Sequence, residues 1–235
     1  GSLLYAMDGL NARPTIDVDF MAERISRDRE FLTKVFQEIL GIVCDEDGVT
    51  FDTENITMEP ITVEKKYPGT RFFFTAHMDS IVHKMSVDIG FGDVVTPYPA
   101  SIDFPLLLPN IPSVNLQAYS LETVIAEKFH TMLDRDEYNS RMKDFFDCYQ
   151  LLTKRELHDE TLYDAIKATF DNRELEYNPK LKLFTAEFVN DANRQMQWKL
   201  FLRKIQWKEE LSFNVVMQVI TDRLKPMAEK YWNKK

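Results

Sequence analysis

Two aspartates, Asp17 and Asp19, stand in a run that alternates polar and apolar residues: Thr15-Ile16-Asp17-Val18-Asp19-Phe20-Met21. Such alternation reads as a strand over 15–21, where every second side chain faces the same side. Both carboxylates are therefore aimed at one point, and Val18 and Phe20 are expected to enter a core on the other side. Two hard oxygen ligands at this spacing suit magnesium, or manganese in its place, with water and phosphate oxygens completing the shell. Paired acids are common on protein surfaces. Here the apolar frame of Ile16, Val18 and Phe20, and a Gly1-Ser2 pair separated from Asp17 by fourteen residues, favour a ligand role. The glycine allows close backbone approach and the serine adds a hydroxyl, both useful for gripping a triphosphate. Arg13 and Thr15 add a cation and a second hydroxyl.

A further carboxylate lies in Val87-Asp88-Ile89-Gly90-Phe91-Gly92-Asp93. The apolar neighbours put Asp88 on a strand, and beside the first strand it would be the third ligand of a two-metal site. The alternative is a solvent-facing strand residue, with Asp93 as a turn acid. Beyond these, Ser120-Leu121-Glu122-Thr123-Val124-Ile125-Ala126-Glu127-Lys128 reads as helix, and so does Arg141-Met142-Lys143-Asp144-Phe145-Phe146-Asp147. The i,i+3 spacing puts Asp144 and Asp147 on one helix face. By themselves, Lys128 reads as a solvated cation and the two aspartates as an exposed acidic face paired with Arg141 or Lys143.

In this order, spanning residues 1–147, the four motifs resemble those of the AbiEii toxin family of nucleotidyltransferases, which share a DNA polymerase β-like catalytic fold. The resemblance implies metal ligation by Asp17, Asp19 and Asp88. It implies that Lys128 meets the triphosphate as a point charge. It also implies that Asp144 or Asp147 completes the site, by orienting Lys128 or a substrate group. The reaction would be in-line attack of an acceptor hydroxyl on the α-phosphate of a nucleoside triphosphate, releasing pyrophosphate. One metal would lower the pKa of the hydroxyl and another would bind triphosphate oxygens. The family further implies a bacterial toxin of a toxin–antitoxin pair, with tRNA or another RNA as acceptor and a cognate antitoxin as partner. A second reading is a small-molecule nucleotidyltransferase of the antibiotic-modifying kind. A third is a non-catalytic nucleotide-binding or protein-interaction module.

The elements that must position these residues give an α+β expectation: a mixed-sheet catalytic domain over 1–110, a mostly helical domain over 111–235, and an active-site cleft between them. A short helix is expected over 2–9. A second helix, capped by Ser26, runs to Leu40 with Phe31, Leu32, Val35, Phe36 and Ile39 on its apolar face. Strands are expected over 56–66, 71–78 and 81–91, with a hairpin turn at Pro68-Gly69. The proline-rich stretch 94–117 reads as a loop-like crossover. After Ser120 helical periodicity takes over, with further helices at 138–154, 159–171, 185–204 and 212–231.

The bulk numbers set limits. The net charge of −9 means that a nucleic acid must be held by one local basic face, because non-specific binding needs cations. The segment 180–208, with Lys180, Lys182, Arg194, Lys199, Arg203, Lys204 and Lys208 among Trp198, Phe201 and Trp207, is the candidate for RNA contact. The competing reading is an amphipathic helix with its aromatics in the core. Cys44 and Cys148 form no metal pattern and read as reduced thiols of a cytoplasmic protein, with a disulfide between them as the alternative. His77, His83, His130 and His158 lack zinc-ligand spacing. Tyr67-Pro68-Gly69-Thr70 reads as a turn, not a phosphate loop. No apolar run reaches the roughly 18 residues of a membrane span.

Overall fold

The computed structural model describes residues 1–9, 12–15, 18–45, 47–61, 69–105 and 113–233. The chain forms two compact units. One comprises Gly1–Asp93 and Ser101–Leu116, the other Val94–Ala100 and Gln117–Lys235. The first carries a mixed sheet and the second is mostly helical, so the class is α+β.

The first unit runs α1 (Ser2–Asp8), β1 (Val18–Ala22), α2 (Arg29–Leu40), β2 (Thr50–Phe51), β3 (Thr57–Ile61), β4 (Gly69–Met78) and β5 (Ile81–Phe91). Its strands lie in the order β1-β5-β4-β2, and β3 also pairs with β4. β1 is parallel to β5, and the other pairings are antiparallel. Strand alternation decides the faces. Phe72 and Phe74 of β4 and Val87, Ile89 and Phe91 of β5 pack under Leu32, Phe36 and Leu40 of α2. Phe36 stacks on Phe72 at 3.9 Å. The next residue on each strand faces away from α2, and that opposite face carries Asp88 and Arg71.

Several expectations change here. The cap of α2 is Asp28, whose carboxylate accepts from the Phe31 N–H at 2.8 Å. Ser26 instead accepts from the Asp28 N–H. The buried stripe of α2 is Leu32, Phe36 and Leu40, and Phe31 and Ile39 are exposed. Phe20 is 51% exposed, not buried in the core. It does share the core face, opposite Ile89, but β1 is an edge strand. β3 ends at Ile61, and residues 62–66 of the expected strand, with Tyr67 and Pro68, lie outside the described residues. β5 matches the expected 81–91.

The crossover 94–117 is not all loop. It contains β6 (Ala100–Phe104) and β7 (Val114–Ala118), paired as a two-stranded sheet. Asn115 ties them: its Oδ1 accepts from the Ser101 hydroxyl and its Nδ2 donates to Asp103, each at 2.8 Å.

The second unit holds α3 (Leu121–Arg135), α4 (Met142–Lys154), α5 (Asp159–Asn172), α6 (Ala186–Asn190), α7 (Ala192–Lys204) and α8 (Phe213–Trp232). Its core includes fully buried Phe129, Phe145, Phe170, Trp198 and Phe213. Two expected helices are shorter. α4 begins at Met142 because Asn139 is extended and its side chain accepts from the Arg141 N–H. The 185–204 helix is split at Asp191, which leaves helical geometry to cap α7 through the Arg194 N–H. Among the described residues, no helix is long and apolar enough to cross a membrane.

Candidate active site

The parallel register of β1 and β5 pairs Asp19 with Asp88. Residues paired across adjacent strands share a face, so the two carboxylates project together from the side opposite α2. The same row continues onto β4, where Arg71 pairs with Asp88, and onto β3, where Glu59 pairs with Arg71. Arg71 grips Asp88 in a forked pair: Nε lies 2.6 Å from Oδ1 and Nη2 lies 2.7 Å from Oδ2. Sequence reasoning missed Arg71. The signal was a cation at the start of the apolar run Phe72-Phe73-Phe74, in a strand whose alternation turns it away from the core.

Asp17 lies outside the described residues, and so does Ile16. Among the described residues no group of three or more His, Cys, Asp or Glu side chains has metal-site geometry. Asp19 and Asp88 nevertheless have the donor chemistry magnesium takes: carboxylate oxygens on neighbouring strands, with Asp19 exposed.

The upstream motif packs tightly. A Cβ on Gly1 would fall 2.2 Å from the Thr15 hydroxyl oxygen, so only glycine fits against Thr15. Gly1 and Thr15 are thus brought together, and Ser2 begins α1 directly after Gly1. Arg13 reaches the Pro14 carbonyl at 3.4 Å. Two residues beyond Asp88 on β5, a Cβ at Gly90 would stand in ordinary contact with the Asp93 carboxylate, 3.5 Å away. Asp93 therefore lies over the face that carries Asp88, which a turn acid would not require.

The second unit holds the other group. Ser120 caps α3: its hydroxyl accepts from the Thr123 N–H and donates to the Thr96 carbonyl. The Thr96 N–H donates to the Thr123 hydroxyl, fixing the start of the helix. Two turns on, Lys128 Nζ lies 3.0 Å from Asp144 Oδ1 and 2.9 Å from Asp147 Oδ2 of α4. Arg141 Nε donates to the other Asp144 oxygen at 2.5 Å. The Lys128 side chain is only 15% exposed, and both aspartates are buried. The solvated cation and the exposed acidic face are thus both replaced by a buried ion cluster, although Arg141 does pair with Asp144.

Burial works against charge on Lys128, but Asp147 and Asp144 outweigh it and hold the ammonium pKa above its ordinary value. Burial likewise opposes charge on Asp144, and Lys128 and Arg141 overcome it, keeping that carboxyl below the usual range. The neighbouring Cys148 thiol is pushed up by burial. An ammonium has three donors. Two are aimed at carboxylates, which leaves Lys128 held in direction with capacity for one more oxygen.

The 180–208 segment does not offer its rings for base stacking. Trp198 is buried and donates to the Leu211 carbonyl, and Phe201 and Trp207 pack edge-on against Phe146. Arg194 is buried and donates to the carbonyls of Phe188, Asn139 and Glu137. Lys199, Arg203, Lys204 and Lys208 are exposed. His130 is buried beside the Phe170 ring. Cys44 is exposed and Cys148 is buried, and neither is in a disulfide.

Comparison with known proteins adds the family. The model described as "Nucleotidyl transferase AbiEii toxin, Type IV TA system" matches residues 1–219. Among solved structures the chain is similar to JHP933 from Helicobacter pylori, with 13% identity, a TM-score of 0.49, and coverage of 100% of this chain and 84% of that one. It is similar also to a candidate nucleotidyltransferase from H. pylori, with 13% identity, a TM-score of 0.49, and coverage of 100% and 87%. No curated protein matches it.

Proposed function

Because the chain belongs to the AbiEii nucleotidyl transferase toxin family, we propose that it moves a nucleoside monophosphate from a nucleoside triphosphate to the hydroxyl of an RNA acceptor, releasing pyrophosphate. The observation that carries this reading is the register of Asp19 with Asp88, two carboxylates side by side on the sheet face opposite α2. Asp19 and Asp88, with Asp17 added from sequence, would hold the divalent metal. When bound, magnesium supplies charge neutralisation and a lowered pKa for the attacking hydroxyl.

The chain's own residues supply the positioning. Gly1 and Thr15 pack closely, and with Ser2 and Arg13 they would take the triphosphate. Lys128, steered by Asp144 and Asp147, would meet a phosphate oxygen with its remaining donor. Catalysis then comes from alignment and fixed charge. An RNA acceptor is supported by the exposed cations Lys199, Arg203, Lys204 and Lys208, a local run of positive charge at the end of α7 and just after it, on a chain of net charge −9.

The test is transfer from α-labelled triphosphates with magnesium, offered tRNA on one side and aminoglycosides on the other. Label should pass to tRNA, and Asp19→Asn should reduce turnover at least ~1,000-fold with its circular dichroism unchanged, since a metal ligand is lost while an exposed side chain costs little stability. Turnover that survives in Asp19→Asn, or that proceeds in chelator, rejects the metal-dependent reading. Label on the aminoglycoside alone rejects the RNA acceptor.

A further inference from the structure

Both oxygens of Asp88 are taken by Arg71 in the forked pair, and this pair sits in the row that carries Asp19. A dication ligated by Asp88 would stand close to a guanidinium, and like charges at such range repel. Arg71 has a second carboxylate at hand. Glu59 of β3 is its cross-strand partner on the flank away from Asp88, it is exposed, and it shares the face. The row thus reads Glu59, Arg71, Asp88, Asp19, with one cation between two acids and a third acid beyond.

We infer that Arg71 is a positioning residue that competes with the divalent cation for Asp88, holding that carboxylate in the metal-free protein and moving toward Glu59 as the metal is taken up. This rests on the reading of Asp19 and Asp88 as metal ligands. The guanidinium keeps the Asp88 carboxylate oriented when no metal holds it, and metal loading then requires the Arg71 pair to open. The cost is lower metal affinity than the two carboxylates alone would give. A guanidinium that only braced the sheet would have the opposite signature, because its loss would disorder Asp88 and weaken metal binding.

The experiment is a manganese titration of the full chain, reading free ion by electron paramagnetic resonance without nucleotide. Arg71 is 44% exposed at its side chain, so replacement is compatible with folding. Arg71→Gln should bind manganese roughly three- to ten-fold more tightly than the native chain, the range expected for releasing a partly exposed pair. Arg71→Lys, which keeps the charge but loses the fork, should fall between them and stands in should Arg71→Gln not fold. Glu59→Gln should weaken binding a few-fold, and that effect should vanish in the Arg71→Gln background. Equal or weaker affinity in folded Arg71→Gln, with binding lost in Asp88→Asn, overturns the inference alone. Binding that is unchanged in both Asp88→Asn and Asp19→Asn overturns it together with the metal reading beneath it.

Discussion

Lys128 shows what a single residue is asked to do. Its ammonium lies among Asp144, Asp147 and, through Asp144, Arg141. Removing one member of a buried ion pair leaves an uncompensated charge and costs about 3–5 kcal/mol. Loss of activity in Lys128→Ala would therefore mix misfolding with chemistry, and pH offers a cleaner probe of the cluster. Asp144 titrates below its ordinary range because, burial notwithstanding, Lys128 and Arg141 favour its charged form. A depressed carboxyl pKa contributes stability that is present above the unfolded value of about 4 and is lost as pH falls through the lower folded value. Lys128 is shifted up, so its contribution is complete below the ordinary value near 10.4 and is lost only as pH rises past the raised folded value. The cluster thus stabilises evenly between about pH 5 and 9 and fails first in acid. The stability gap between the native chain and Asp144→Asn should be constant across that plateau and shrink below about pH 4. Thermal melts from pH 3 to 7 measure it, and a gap that does not narrow in acid would show that Asp144 carries no such charge. Sequence spacing put Asp144 and Asp147 on one face, but it could not tell whether that face turned outward. The answer depends on α3 packing against α4, which no local pattern encodes.

At the scale of elements, most of the fold was legible and the errors have local causes. The alternation of Val87, Ile89 and Phe91 marked β5 correctly because one face of the strand is buried and the other carries polar groups. The 94–117 stretch was misread because Pro99 and Pro105 fall just outside β6, positions where proline breaks no ladder. Asp191 was passed over inside an apparent long helix, although Asp three residues before Arg194 is a capping arrangement. Helix α2 was found, but its apolar face was drawn too wide. The packing now separates the residues that hold the sheet from those that merely share their type. Phe36 lies flat on Phe72, so Phe36→Ala should cost about 3–5 kcal/mol through lost contact and cavity. Ile39 is 54% exposed, so Ile39→Ala should stay within about 0.5 kcal/mol. Urea denaturation of the two variants decides it, and equal losses would mean that the sequence-based face was right.

Across the whole molecule, the candidate chemistry is divided between two bodies of different construction. The carboxylate row belongs to the sheet unit, and Lys128 with its two aspartates belongs to the helical unit. Each group rests on what its own unit provides: a parallel strand register in one, a buried helix–helix contact in the other. The family model spans residues 1–219, so both units are part of what defines the family. The division yields a test of where the metal goes. An ion that binds only the folded state stabilises the body holding its ligands by RT ln(1 + [L]/Kd), about 1.4 kcal/mol at ten times Kd. Were Asp19 and Asp88 the ligands, magnesium without nucleotide should slow amide exchange in β1 and in the Val87–Phe91 half of β5 by up to roughly ten-fold. The Lys128 cluster already balances its carboxylates with Lys128 and Arg141, so a dication gains little by entering it. Exchange in α3 and α4 should then change less than in the two strands. Peptide-resolved exchange of the native chain, with and without magnesium, is the measurement. Protection that appears in α3 and α4 while β1 and β5 stay unchanged would move the metal to the helical unit and leave the acidic row without its proposed role.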